Sequence, residues 1–89
     1  MVKNAGEMQK NVSDKLRQQR ASGEAGGGLA KVVMNGHFEV ESLVIDDSLL
    51  KEDKAFVEEV IKASINDATT QLRSGMADYF KSLAGSFGL

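Results

Sequence analysis

The 89-residue chain has no cysteine, no proline and no tryptophan, and it has a single histidine. Without cysteine, neither a disulfide framework nor a thiolate metal site can brace a small domain. The same absence fits a reducing cytoplasm. His37, alone and without cysteine beside it, cannot build the usual zinc site, and no metal or other cofactor is expected. The lack of proline leaves long helices uninterrupted. No apolar run approaches the roughly 20 residues that cross a bilayer. The opening MVKNAGEMQK has no apolar stretch of the kind a secretory signal carries. The sequence therefore predicts a cytoplasmic protein with no membrane partner.

A chain of this size buries only about two-thirds of the surface it exposes when unfolded. With no disulfide and no metal, oligomerisation is the remaining common way to enlarge the core. The net charge of −2 excludes a general polycation, but the charge is unevenly spread. Residues 1–23 carry five bases and two acids, a net of +3. Residues 24–67 carry ten acids against four bases, a net of −6, and residues 68–89 return to +1. The ends are basic and the middle is acidic.

The spacing of Ala5, Met8, Val12 and Leu16 predicts a helix over residues 2–20. Lys3, Lys10 and Arg17 recur seven apart on its other side. Such a row is either a solvated face or a set of cations aimed at a polyanion. Gly23 and the run Gly26-Gly27-Gly28 end the helical pattern, with a short edge strand near 20–25 and a glycine turn after it. Leu29 to Met34 reads as a strand. Asn35-Gly36 is a strong hairpin signal and predicts a type I′ turn, with positive φ at both central residues. The returning strand, His37 to Asp46, changes its apolar phase between Val40 and Leu43. Either a bulge near Glu41-Ser42 or a strand covered on both faces accounts for that.

Asp46-Asp47-Ser48 offers a cap, and a short turn through Leu49-Leu50 follows. Glu52 and Asp53 are expected as first-turn acids of a long helix over about 51–83. Its stripe runs through Val57, Ile61, Ile65, Ala68, Leu72, Met76, Tyr79 and Leu83. Gly75 is either a weak point or a hinge. A helix of this length spans about 50 Å, more than one small sheet covers. The stripe thus predicts a partner outside the chain, by default a second copy.

No enzymatic chemistry emerges. The glycine run lacks the Lys-Ser or Lys-Thr pair of a P-loop and leads into a strand rather than a helix. A dinucleotide fingerprint also needs its glycines to open a helix. His37 flanks a turn with no nucleophile beside it, and the acids Asp46, Asp47, Asp53, Glu58 and Glu59 have capping or solvated roles. A non-enzyme with no small-molecule substrate is expected.

The glycine block with Leu29, the stretch VVMNG ending at Asn35-Gly36, LVIDDSLL at 43–50, DKAFVEEVIKASINDA at 53–68 and the basic first helix together resemble the YbaB/EbfC family of bacterial nucleoid-associated proteins. The resemblance covers roughly residues 5–75. It implies an α+β subunit (helix, three-stranded antiparallel sheet, long helix) in a tweezer-like homodimer that binds DNA in the cytoplasm, at the nucleoid, through its helical arms. That agrees with the positive excess at the two ends of the chain. Because the total charge is acidic, the basic surface must be local.

On this basis Lys3, Lys10, Lys15, Arg17, Arg20, Arg73 and Lys81 are expected to face double-stranded DNA. Phosphate contacts would dominate and sequence preference would be slight. Asn11, Gln18 and Gln19 are the only obvious base readers on the basic face. Val32, Met34, Leu43, Ile45, Phe56, Val57, Val60, Ile61 and Ile65 are expected in the dimer core. The competing expectation is a dimeric scaffold that binds another protein through an apolar groove formed by Met8, Met76, Tyr79, Phe80 and Phe87.

Overall fold

A computed structural model describes residues 14–86. Residues 14–18 are helical (α1); the predicted helix over 2–13 and the tail beyond 86 lie outside the described residues. Strands β1 (Arg20–Ala25), β2 (Ala30–Asn35) and β3 (Val40–Ile45) follow, then a 3-10 turn (Asp47–Lys51) and the helix α2 (Lys54–Ser86). The sheet is antiparallel in the order β1-β2-β3. This is the predicted α+β order.

The glycine run closes the first hairpin. Gly26, Gly27 and Gly28 hold φ of 68°, 71° and 93°, a left-handed stretch that residues with side chains rarely adopt. The second hairpin departs from the expected type I′ turn. Gly36 does not have positive φ; Phe38 does, at 61°. Phe38 N–H donates to the Asn35 carbonyl at 3.0 Å, and Asn35 N–H to the Glu39 carbonyl at 3.0 Å. The Asn35 side chain accepts from His37 N–H and Glu39 N–H and donates to the Glu39 carboxylate. The loop is thus a three-residue connection with a left-handed last residue. Gly36 has another duty. Its N–H donates to the Leu16 carbonyl at 2.9 Å, and a Cβ there would collide with that same oxygen. The glycine is required because α1 ends on it.

The phase change in β3 is a bulge. Val33 pairs with Ser42 but Met34 pairs with Val40, leaving Glu41 as the extra residue.

α2 begins later than the sequence suggests. Asp46 accepts from Ser48 N–H at 2.9 Å and from the Ser48 hydroxyl at 2.7 Å, starting a 3-10 turn that fixes the fully buried Leu49. The chain leaves that turn extended at Glu52, so Glu52 and Asp53 precede α2 instead of opening it. The Asp53 carbonyl accepts the bond from Val57 N–H.

The Ser48 hydroxyl, and after it the Ser48 N–H, hold the Asp46 carboxyl below its ordinary pKa. A depressed carboxylate stabilises the fold above its ordinary pKa, and that contribution is lost as pH falls through the lowered value. In an NMR titration Asp46 is expected to ionise below the usual aspartate range, and Ser48→Ala to move it back up. An unmoved Asp46 in the variant would remove the hydroxyl as cause.

One face of the sheet carries the core. Val32 and Met34 meet Ala68 and Leu72, with Ala21, Ile65 and Met76 around them. Ala30 meets Leu49 and Val60, with Ala25, Leu29, Ile45 and Val57 around them. The sheet therefore shields the α2 stripe from Val57 to Met76, more of it than length alone suggests. The last ten residues of α2 extend past these core contacts, and Phe80 there is exposed. Where α2 crosses β1, small residues meet: a Cβ on Gly23 would fall 2.2 Å from the Ala68 nitrogen and 2.4 Å from the Ser64 carbonyl oxygen. Glu24 N–H donates to the Asp67 carboxylate at 2.9 Å. α2 is drawn over β1 and β2 and hardly reaches β3.

Candidate nucleic-acid interface

Two contacts bring the basic residues of different elements to one end of the molecule. The Leu16 carbonyl binds Gly36 N–H, which joins α1 to the tip of the β2–β3 hairpin. At that same end Ala21 and Met34 pack with Leu72 and Met76 of α2. Lys15 and Arg17 on α1, Arg20 at the start of β1 and Arg73 on α2 therefore belong to one end of the sheet. Lys81 lies eight residues beyond Arg73 on the same helix, about 12 Å further out. Lys15, Arg17, Arg73 and Lys81 are exposed. Lys3 and Lys10 lie outside the described residues, as does Asn11; Gln18 is exposed and Gln19 half-buried.

Arg20 is occupied. Its Nε donates to Glu41 Oε1 at 2.6 Å, its Nη2 to Glu41 Oε2 at 3.4 Å and its Nη1 to the Gln18 carbonyl at 3.3 Å. The pair spans the sheet from β1 to β3, and nothing in the local sequence announces it. With its charge balanced by Glu41, Arg20 stands apart from Lys15, Arg17, Arg73 and Lys81, which have no ion pair among the described residues.

The opposite end is the more acidic: Asp46, Asp47, Glu52 and Asp53 cluster around the 3-10 turn, and two of its lysines are paired, Lys54 3.9 Å from Glu58 and Lys62 3.8 Å from Glu59. These exposed pairs add little stability, but they cancel charge locally. The result is a dipolar subunit, which a net charge of −2 conceals.

Of the residues predicted for a dimer core, Val32, Met34 and Val60 are buried inside the chain itself. Ile45, Val57, Ile61 and Ile65 are half-buried, while Leu43 and Phe56 are exposed. The sequence missed the most exposed apolar residues of this region, Val44 and Leu50. His37 lies exposed beside the hairpin turn. Among the described residues no group of three His, Asp or Glu side chains is arranged to hold a metal ion, and no helix is long and apolar enough to cross a membrane.

A crystal structure of an uncharacterized Helicobacter pylori protein matches the fold with a TM-score of 0.71, at 23% identity, over 92% of this chain and 87% of the other. A nucleoid-associated protein of Coxiella burnetii is 37% identical over 82 residues, which is 92% of this chain and 74% of the relative. A nucleoid-associated protein of Hahella chejuensis is 36% identical over 74 residues, covering 83% and 68% respectively. The model of the YbaB/EbfC DNA-binding family matches residues 1–87, and the chain belongs to that family.

Proposed function

We propose that the protein is a nucleoid-associated DNA-binding protein of the cytoplasm that grips duplex DNA as a homodimer, chiefly through phosphate contacts and with little sequence preference. The observation that carries this is the segregation of charge. Lys15, Arg17, Arg73 and Lys81 stand exposed at one end and along the projecting part of α2, with no ion pair among the described residues. A local group of exposed, unpaired cations is what a polyanion-binding surface requires. Phosphate contacts fix register and orientation but carry no base information. Dimerisation doubles the set and with it the number of counterions released.

Gel retardation of a random-sequence duplex tests the proposal. The double variant Lys15→Glu/Arg17→Glu is expected to bind at least tenfold more weakly at fixed salt. Lys54→Glu/Lys62→Glu, placed in the acidic half, is expected to bind like the parent. Equal loss in both variants, with folding retained by circular dichroism, would mean that net charge and not this surface governs binding.

A second interpretation, a protein-binding groove between the helical arms, has the exposed Phe80 in its favour. It predicts binding that is insensitive to salt and lost in Phe80→Ala.

A further inference from the structure

Asn35-Gly36 is the one Asn-Gly pair in the chain; Asn4, Asn11 and Asn66 precede Ala5, Val12 and Asp67. The side-chain amide of an asparagine is open to attack by the main-chain nitrogen of the next residue, and a side chain on that residue hinders the approach. Glycine has none and lets the backbone bend into the ring that forms. At this position the glycine cannot be exchanged for a slower neighbour, because a Cβ would meet the Leu16 carbonyl oxygen at 2.0 Å. The contact that seats α1 on the hairpin thus places the most permissive partner beside Asn35.

The fold holds both reacting groups back. The Gly36 nitrogen becomes a nucleophile only on losing its proton, and that proton is donated to the Leu16 carbonyl at 2.9 Å. The electrophile is Asn35 Cγ. Asn35 Oδ1 accepts from His37 N–H at 2.9 Å and from Glu39 N–H at 3.2 Å, while Nδ2 donates to Glu39 Oε1 at 3.0 Å. Turning Cγ toward Gly36 breaks these bonds in a residue only 6% exposed, where polar groups stripped of their partners are costly.

We infer that Asn35 is a latent deamidation site, kept inert by the seating of α1 on the β2–β3 hairpin. Once α1 lifts, the Gly36 nitrogen attacks Asn35 Cγ. A C–N bond forms, the Cγ–Nδ2 bond breaks, and ammonia leaves with the proton that Gly36 gave up. Water then opens the succinimide, adding hydroxyl to one of its two carbonyl carbons and hydrogen to the ring nitrogen, and leaves aspartate or isoaspartate at position 35. Neither product rebuilds the loop. A carboxylate has no hydrogen to donate to Glu39 and faces it as a like charge. Isoaspartate also adds a carbon to the main chain, which moves Gly36 away from Leu16. The reaction is one-way, so it records each lasting opening of the joint between α1 and the hairpin, and it leaves a new negative charge at the end that carries Lys15 and Arg17.

Trypsin, cutting after Lys31 and Lys51, isolates the pair in the peptide Val32–Lys51, which holds no other asparagine or glutamine. A mass gain in that peptide therefore reports Asn35 alone. A reaction that needs the joint open scales with the open fraction. In mildly alkaline buffer the folded parent is expected to deamidate at least tenfold more slowly than the same protein in urea. Leu16→Ala, which shortens a half-buried anchor of α1, is expected to react severalfold faster than the parent with its circular dichroism retained. Glu39→Ala, which frees Nδ2 and leaves α1 untouched, is expected to react faster as well. Asn35→Asp, which mimics one product, is expected to melt below the parent. Equal rates for the folded parent and the parent in urea would overturn the protection. A folded Leu16→Ala as slow as the parent would overturn the part given to α1, and no mass gain in urea would remove the site altogether.

Discussion

Gly23→Ala is expected to cost about 3 kcal/mol or more, because the added carbon has nowhere to go. The backbone at Gly23 does not need glycine for its φ, which is not positive; the requirement is purely one of space. The new Cβ would lie 2.2 Å from the Ala68 nitrogen, and both this atom and the Ser64 carbonyl are main chain in the middle of a helix. Neither can swing aside as a side-chain end could. Relief demands that α2 lift from β1, which would loosen the Glu24–Asp67 bond and the packing of Ala68 and Leu72 on β2. For a domain of this size the loss corresponds to a melting temperature lower by more than 10 °C. Gly75→Ala provides the contrast. Its Cβ would meet nothing within 4 Å, and alanine there is expected to stabilise the helix by about 1 kcal/mol. Thermal unfolding followed at 222 nm reads both variants; equal melting of Gly23→Ala and the parent would show that helix and strand do not approach so closely.

Raising salt from 50 to 200 mM is expected to weaken DNA binding by several thousandfold. Four exposed cations per subunit, doubled in a dimer, give up to eight phosphate contacts, and each contributes about 0.9 to the slope of log affinity against log salt. A slope near −6 or −7 follows if most of them engage. Replacing Arg73 and Lys81 with glutamine should then flatten the slope by about four units, since each dimer loses four contacts. The acidic half of the subunit works against the trend, because salt also screens its repulsion of the duplex; at low salt that repulsion favours one approach direction. A fluorescence-anisotropy titration at three salt concentrations measures this, and a slope shallower than −2 would leave the phosphate mechanism without support.

The fold was largely legible because its signals are local. The stripe at spacings of three and four from Val57 to Met76, the glycine run and the short apolar run of β2 each need only neighbouring residues to be understood. What escaped the sequence depends on contacts between distant segments. Asn35-Gly36 has the form of a type I′ turn, but Gly36 answers to Leu16, twenty residues upstream, and the loop takes a different shape. Glu52 and Asp53 suit a first turn and predict a helix start near 51; the burial of Leu49 instead holds a 3-10 turn there. The candidate DNA surface was legible as a charge imbalance but not in its members. Arg20 has the same sequence credentials as Arg17, and only the pairing with Glu41 across the sheet sets them apart. Likewise Val32 and Leu43 look alike in sequence, yet α2 buries one and leaves the other open.

The clasp of α2 on β1 also bears on how the chain assembles. Both hairpins bring together residues that are near in sequence, whereas Glu24 and Asp67 are 43 residues apart. Closing so long a loop carries an entropic penalty that only the completed contact repays. The three strands can therefore zip early, and the return of the helix is expected to come last. Until it arrives, both margins of the nascent sheet stand bare, and crowding of unfinished chains is most dangerous in that interval.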